Sequence, residues 1–189
     1  MGNLAAEMDW SALAMSAPGT RPETDAAPLV RSARGGNPEA FEELYRRYHR
    51  LVHGVLLARL PRGDAEDLAQ EVFLAAWERL ADLRDDDGFG GWVSAIARNR
   101  AASHARSRPR ETSLPEDLPG GARADGSPEA VLSVIRRLPE AYREPLVLRL
   151  VHGMSGPEIA RETGLTEGSV RVNLHRGFAK LRALLGGRR

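Results

Sequence analysis

The sequence predicts an all-α fold: two small helical domains joined by a flexible linker. Three observations carry this. Apolar residues recur at three- and four-residue spacing through most of the chain between Leu29 and Leu185. No stretch alternates apolar and polar residues as a half-buried strand does. Residues 107–126 hold Pro109, Pro115, Pro119, Gly120, Gly121 and Gly126 with no surviving period, so helix is interrupted there.

The elements follow in order. Residues 1–27 are rich in Ala, Pro, Ser and Thr and are expected to form a disordered extension, with Trp10 its one adhesive residue. The N-terminal domain spans 28–106. A short helix over Leu29 to Arg34 is closed by Gly35-Gly36, and Asn37-Pro38 then starts the next, Asn as cap and Pro at the first helical position. Phe41, Leu44, Tyr45, Tyr48, Val52, Val55 and Leu56 follow at helical spacing, and Pro61 and Gly63 end that run. Asp64 is expected to cap a third helix, whose apolar positions are Leu68, Ala69, Val72, Phe73, Ala76, Trp77 and Leu80. After a loop, Leu83 to Gly91, a helix runs to Arg106 with Val93, Ile96, Ala97 and Ala101 as its buried stripe. Residues 107–126 are the linker and 127–189 the C-terminal domain. There Ser127-Pro128 starts a helix carrying Val131, Leu132, Ile135 and Leu138. Pro139 starts another, in which Pro145 is tolerable at the first turn and would kink the helix any deeper.

The final pair of helices carries the most specific signal. Ser155 caps the first, with Glu158 three residues on as its capping-box partner. Ala160 is small where two helices cross, Gly164 allows a sharp turn, and Thr166 caps the second helix. Val170 and Leu174 hold that helix on the core, leaving Arg171, Val172, His175 and Arg176 on the opposite face for phosphates and base edges. This is a helix-turn-helix with a basic second helix.

Composition narrows the classes of function. The 189 residues are 42% hydrophobic, enough for a core at this length. Net charge is only +1, but it is segregated. Asp64 to Asp87 is heavily acidic, Trp92 to Arg110 holds Arg98, Arg100, Arg106, Arg108 and Arg110 without an acid, and Glu167 is the only acid from Thr166 onward. The absence of cysteine removes disulfides, thiolate metal sites and a Cys nucleophile, and fits a cytoplasmic protein. No apolar run approaches a membrane span, and no signal-peptide pattern opens the chain. His49 and His53 have a metal-compatible spacing without an evident third ligand. Asp85, Asp86 and Asp87 lack the alternating spacing of a calcium loop. No metal, no cofactor and no enzymatic activity are expected.

The basic Trp92 to Arg110 segment needs an anionic partner and should bind phosphate with strong salt dependence. Arg98, Asn99 and His104 can also bond to bases, and Trp92 either stacks on an unpaired base or packs in the core. Asp67, Gln70, Glu71 and Glu78 make an acidic helix face that suits a cationic protein partner better than DNA.

Taken together, these segments resemble a group 4, or extracytoplasmic-function, sigma factor of bacterial RNA polymerase. NPEAFEELYRRYHRLVHGV is similar to the opening helix of that family's region 2. GDAEDLAQEVFLAAWERL resembles its helix for the polymerase β′ clamp coiled coil. FGGWVSAIARNRAASHARSR resembles the promoter-melting and −10-reading segment, and LPEAYREPLVLRLVHGMSGPEIARETGLTEGSVRVNLHRGFAKLRALL resembles region 4. The resemblance implies that Asp67, Gln70, Glu71 and Glu78 bind polymerase. It implies a flipped-base loop at Arg84, Asp85, Asp86 and Asp87. It implies DNA contacts from Arg98, Asn99, His104, Arg106 and Arg108, and from Ser169, Arg171, Val172, His175 and Arg176 at the −35 element. Core RNA polymerase, through β′ and the β flap, and promoter DNA are the implied partners, with an anti-sigma factor a further candidate. The alternatives are a free-standing helix-turn-helix regulator and a protein-binding helical adaptor. The Pro- and Gly-rich linker leads to one more expectation: domains held loosely in the free chain.

Overall fold

In the computed structural model the described residues are 26–107 and 127–186. The expected disordered extension, Trp10 and all but the first residue of the expected flexible linker lie outside them, as does Arg108. Among the described residues all regular structure is helical. The N-terminal domain contains α1 (Ala27–Arg34), α2 (Pro38–Leu57), α3 (Arg62–Glu78) and α4 (Phe89–Ser107). The C-terminal domain contains α5 (Pro128–Arg136), α6 (Glu140–Leu150), α7 (Gly156–Thr163) and α8 (Glu167–Gly186).

Local chemistry accounts for most boundaries. Gly36, at φ +89°, lets the chain leave α1 and turn into α2. There the Asn37 side chain accepts the Glu39 amide at 3.0 Å. The interior of α2 is a continuous buried face of Leu44, Tyr48, Leu51, Val52, Val55 and Leu56. α3 begins at Arg62, so Asp64 is not its cap. Pro61 is extended, and the helix starts directly after it; Asp64 instead lies in the first turn, where its charge complements the unpaired amides. Trp77, expected in the core, is 37% exposed and meets Phe41 edge-on at 4.8 Å, while Leu80 just beyond is buried.

The expected loop from Leu83 to Gly91 is more ordered than its composition suggests. A short 3₁₀ turn, Leu80–Asp82, leads into this stretch, a second, Asp86–Gly88, lies within it, and α4 starts at Phe89. Phe89 is fully buried, 4.9 Å from Tyr48 between ring centres, and this anchors the helix start. The Asp85 carboxylate accepts the Asp87 amide at 3.2 Å. In α6, Pro145 falls past the first turn, where it offers no N–H to the Ala141 carbonyl.

The two domains are not loosely held. Their buried side chains form one continuous apolar cluster. α6 packs on α2, and α7 packs on α4. Two glycines permit the approach. A Cβ on Gly54 would lie 2.5 Å from the Leu148 side chain, and one on Gly90 would lie 3.1 Å from the Glu162 carbonyl. Arg136 donates to the Leu60 carbonyl at 3.2 Å, and Arg50 donates to the His152 carbonyl. No linker composition reveals these contacts, because they depend on side chains distant in sequence.

His53 and His152 meet across this boundary with ring centres 5.5 Å apart, and the Nε2 of each is buried without a hydrogen-bond partner. Burial, with His53, Arg50, His49 and Arg62 nearby, pushes the His152 imidazole down from 6.5 to about 4. Burial and His49 also lower His53, with Glu66 acting the other way. A group whose pKa is depressed by folding stabilises the native state above its unfolded value and loses that contribution as pH falls toward the folded one. Stability should therefore fall between pH 6.5 and about 4 partly through His152. Thermal melts at pH 7.5 and 5 should show a smaller drop for His152→Gln than for the unaltered chain. Equal drops would remove His152 from the account.

Candidate nucleic-acid interface

The helix-turn-helix is built by local bonds. The Ser155 hydroxyl accepts the Glu158 amide at 3.3 Å, and Glu158 returns a carboxylate to the Ser155 amide at 2.7 Å. Burial acts to raise the Glu158 carboxyl, but the two bonds from Ser155 prevail and hold it below its usual range. Gly164 ends α7 at φ +75°, with its amide donating to the Ala160 carbonyl at 3.0 Å. The Thr166 hydroxyl then caps α8, accepting the Ser169 amide at 3.2 Å, and it also bonds the Ser169 hydroxyl at 2.8 Å.

α8 is anchored by Val170, Leu174, Phe178 and Leu181, all buried at helical spacing. Gly177 lies against α6, where a Cβ would be 3.0 Å from the Leu146 side chain. The opposite face presents Ser169, Arg171, Val172, His175 and Arg176 to solvent, with Val172 41% exposed. The expected face is thus assembled as one surface at the N-terminal half of a helix fixed by its far side.

The basic residues of α4 are divided. Asn99 and Arg106 are exposed, and Arg106 bonds the Ser103 hydroxyl at 3.0 Å. His104 is half-buried, 3.7 Å from the Asp64 carboxylate. Arg98 instead faces the C-terminal domain, with its guanidinium 2.7 Å and 3.2 Å from the two carboxylate oxygens of Glu144. That pairing occupies the guanidinium within the protein, and it raises the Arg98 pKa further. Trp92 is half-buried and packed on the core, 5.8 Å from Phe89 between ring centres. In the 83–91 stretch, Arg84, Asp85 and Asp87 are exposed, whereas Asp86 is held by Arg34 at 2.9 Å and Arg31 at 3.6 Å.

The acidic face of α3 is assembled as expected. Asp67, Gln70, Glu71 and Glu78 are all exposed, and Arg100 approaches Glu71 at 3.7 Å. Sequence reasoning missed what lies among them. Leu74 is 61% exposed and Trp77 is 37% exposed. With Asp67 and Gln70 they repeat at three- and four-residue spacing, so one stripe mixes acid with large apolar surface. The signal was present: Leu74 is apolar but falls off the buried register of Leu68, Val72 and Phe73. Among the described residues, no group of His, Asp or Glu could hold a metal, and no helix is long and apolar enough to cross a membrane.

The αL geometry at Gly164 sets a stability test. Gly164→Val should cost about 1–2 kcal/mol, because a Cβ opposes that conformation. Urea unfolding should show a lower midpoint than for the unaltered chain; an unchanged midpoint would mean the turn relaxes at no cost.

Comparison with known proteins agrees with this geometry. Residues 44–111 match the family described as Sigma-70 region 2, and residues 129–181 match Sigma-70, region 4. The RNA polymerase sigma factor NccH of Alcaligenes xylosoxydans xylosoxydans is 32% identical over 88% of this chain and 97% of that protein. The ECF RNA polymerase sigma factor ShbA of Streptomyces griseus subsp. griseus is 36% identical over 82% of this chain and 93% of that protein. A solved structure of CnrH in complex with the cytosolic domain of CnrY superposes with a TM-score of 0.59 at 28% identity, covering 88% of this chain and 100% of that one. Region 2 and region 4 follow in order over the helices that carry the acidic, basic and helix-turn-helix faces, and the chain belongs to the extracytoplasmic-function sigma factors of RNA polymerase.

Proposed function

We propose that this sigma factor divides its work among three helix faces. The chain binds core RNA polymerase and directs promoter-specific initiation, as its family does. The residue assignments are our reading. The observation that supports them most strongly is the exposed row Arg171, Val172, His175 and Arg176, opposite the buried Val170, Leu174, Phe178 and Leu181. A helix so anchored can enter the −35 major groove with its N-terminal half foremost. Arg171 is placed to bond a guanine edge or a phosphate, and Val172 to meet a thymine methyl.

The N-terminal domain, residues 28–106, docks on the β′ clamp through Asp67, Gln70, Glu71 and Glu78. Leu74 and Trp77 supply the apolar centre of that contact, and the acids around them exclude DNA and attract a cationic coiled coil. Exposed Asn99 and Arg106, with His104, serve the −10 element in this reading, Arg108 is assigned to it from the sequence alone, and Arg84, Asp85 and Asp87 line the flipped-base loop. The C-terminal domain, 127–189, meets the β flap and the −35 box. Bivalent engagement through both domains multiplies two modest DNA contacts. The protein is non-enzymatic and acts in the cytoplasm. A solved structure of similar fold, at 20% identity and a TM-score of 0.53, is the sigma factor RpoE in complex with the anti-sigma factor NepR from Bartonella quintana. An anti-sigma factor is a candidate partner here too.

Run-off transcription with core polymerase tests the reading. Arg171→Ala should weaken −35-dependent initiation by about 1–3 kcal/mol and relax preference at one base pair. Equal loss on all promoter variants would assign Arg171 to a phosphate; no loss would remove it from the interface. Charge reversal at Asp67 and Glu71 should abolish co-purification with core while helix content is unchanged. Normal co-purification would overturn the docking assignment.

A further inference from the structure

One arginine at the end of α1 ties down the stretch between α3 and α4. Arg34 donates to the Leu83 carbonyl at 2.8 Å, and its Nε reaches the Leu80 carbonyl at 3.5 Å. The same guanidinium lies 2.9 Å from one Asp86 oxygen, and Arg31, one turn earlier, lies 3.6 Å from the other. Both oxygens of Asp86 are thus engaged by α1, and its side chain is only 20% exposed. A guanidinium presents several donors in one fixed plane, so a single side chain can join both 3₁₀ turns to the same helix.

α1 is suited to act as a fixed post. Ala27, Val30 and Ala33 are buried, and the helix packs on α2 as well as on both 3₁₀ turns. On the loop side, Leu83 and Phe89 are buried at either end of the stretch, and the Gly88 amide donates to the Asp85 carbonyl at 3.0 Å. Charge gives a second reason for the tie. Three contiguous carboxylates repel one another and would repel DNA phosphates, and α1 neutralises the middle one. With Asp86 drawn to α1, its neighbours Arg84, Asp85 and Asp87 are exposed.

We propose that Arg34 and Asp86 are positioning residues for base capture: neither meets the flipped base, and their tie fixes the loop from which Arg84 and Asp85 read it. The role rests on the flipped-base reading of residues 84–87, but the tie itself does not.

Two measurements on the full-length chain separate the two. Hydrogen exchange in the free protein reports the tie. Arg34→Gln and Asp86→Asn should each speed exchange of the Asp87 and Gly88 amides about three- to tenfold, the scale of a charge-assisted bond lost from a part-exposed site. Asp86→Asn removes only a charge, so the test survives if Arg34→Gln fails to fold by circular dichroism. Run-off transcription with core polymerase, on promoters carrying each base in turn along the −10 element, reports the role. The unaltered chain should favour one base at the captured position, and both variants should flatten that preference by about tenfold. Preferences at the −35 element should stay as they were. Unchanged exchange in both variants would overturn the tie. Faster exchange with the base preference intact, whether or not total output falls, would overturn the positioning role. If exchange quickens but the unaltered chain prefers no base at any −10 position, the tie stands and the flipped-base reading fails.

Discussion

The Glu144 carboxylate between Arg59 and Arg98 is the interaction on which the relation of the two domains depends. A charge taken this far from water costs several kcal/mol of hydration unless its partners satisfy it. Here Arg59 and Arg98 satisfy the Glu144 carboxylate, and Arg59 is further held by Glu140 and the Val55 carbonyl. Such a cluster adds little net stability against a well-packed apolar alternative. What it provides is a unique docking geometry, because an arginine fork accepts a carboxylate in few orientations. The apolar cluster shared by the domains supplies the attraction, and the ions set which approach is taken.

Charge segregation along the chain has a similar logic. The acidic stripe on α3 and the basic row on α8 lie on separate helices, each backed by its own buried register. Opposite charges on one exposed surface would pair with each other and weaken both external contacts. One such pair between the acidic and basic segments is Glu71 with Arg100, exposed at 58% and 47% and hence well screened.

Elements set by local chemistry were legible in the sequence. Asn37-Pro38, the Ser155 and Glu158 box, Gly164 and Thr166 each specify a helix end through bonds spanning three or four residues. The Val170 and Leu174 anchors followed from spacing. What required coordinates was long-range. The start of α4 moved to Phe89 because that ring is buried against Tyr48, a partner far back in the chain. Trp77 left the core because Leu80 is buried just beyond it. Arg98 read as a free cation because Glu144 lies beyond the linker, and a composition-based view of that linker said nothing about whether the domains meet. The exposed stripe of α3 was half visible: its acids stood out, while Trp77 read as core and Leu74, off the buried register, was passed over.

α8 is one unbroken helix from Glu167 to Gly186, about 30 Å long at 1.5 Å per residue. Its reading row sits near one end, and its last buried residue, Leu181, sits near the other. Gly177 lies between them at the closest approach to α6, about 9 Å along the axis from Arg171. The helix therefore behaves as a lever with a fulcrum. A few degrees of tilt at Gly177, set by how Leu146 and Tyr142 pack beneath it, carries Arg171 and Val172 sideways without altering either residue. On the DNA-reading role proposed for this row, promoter register is set in part by core residues that never touch DNA.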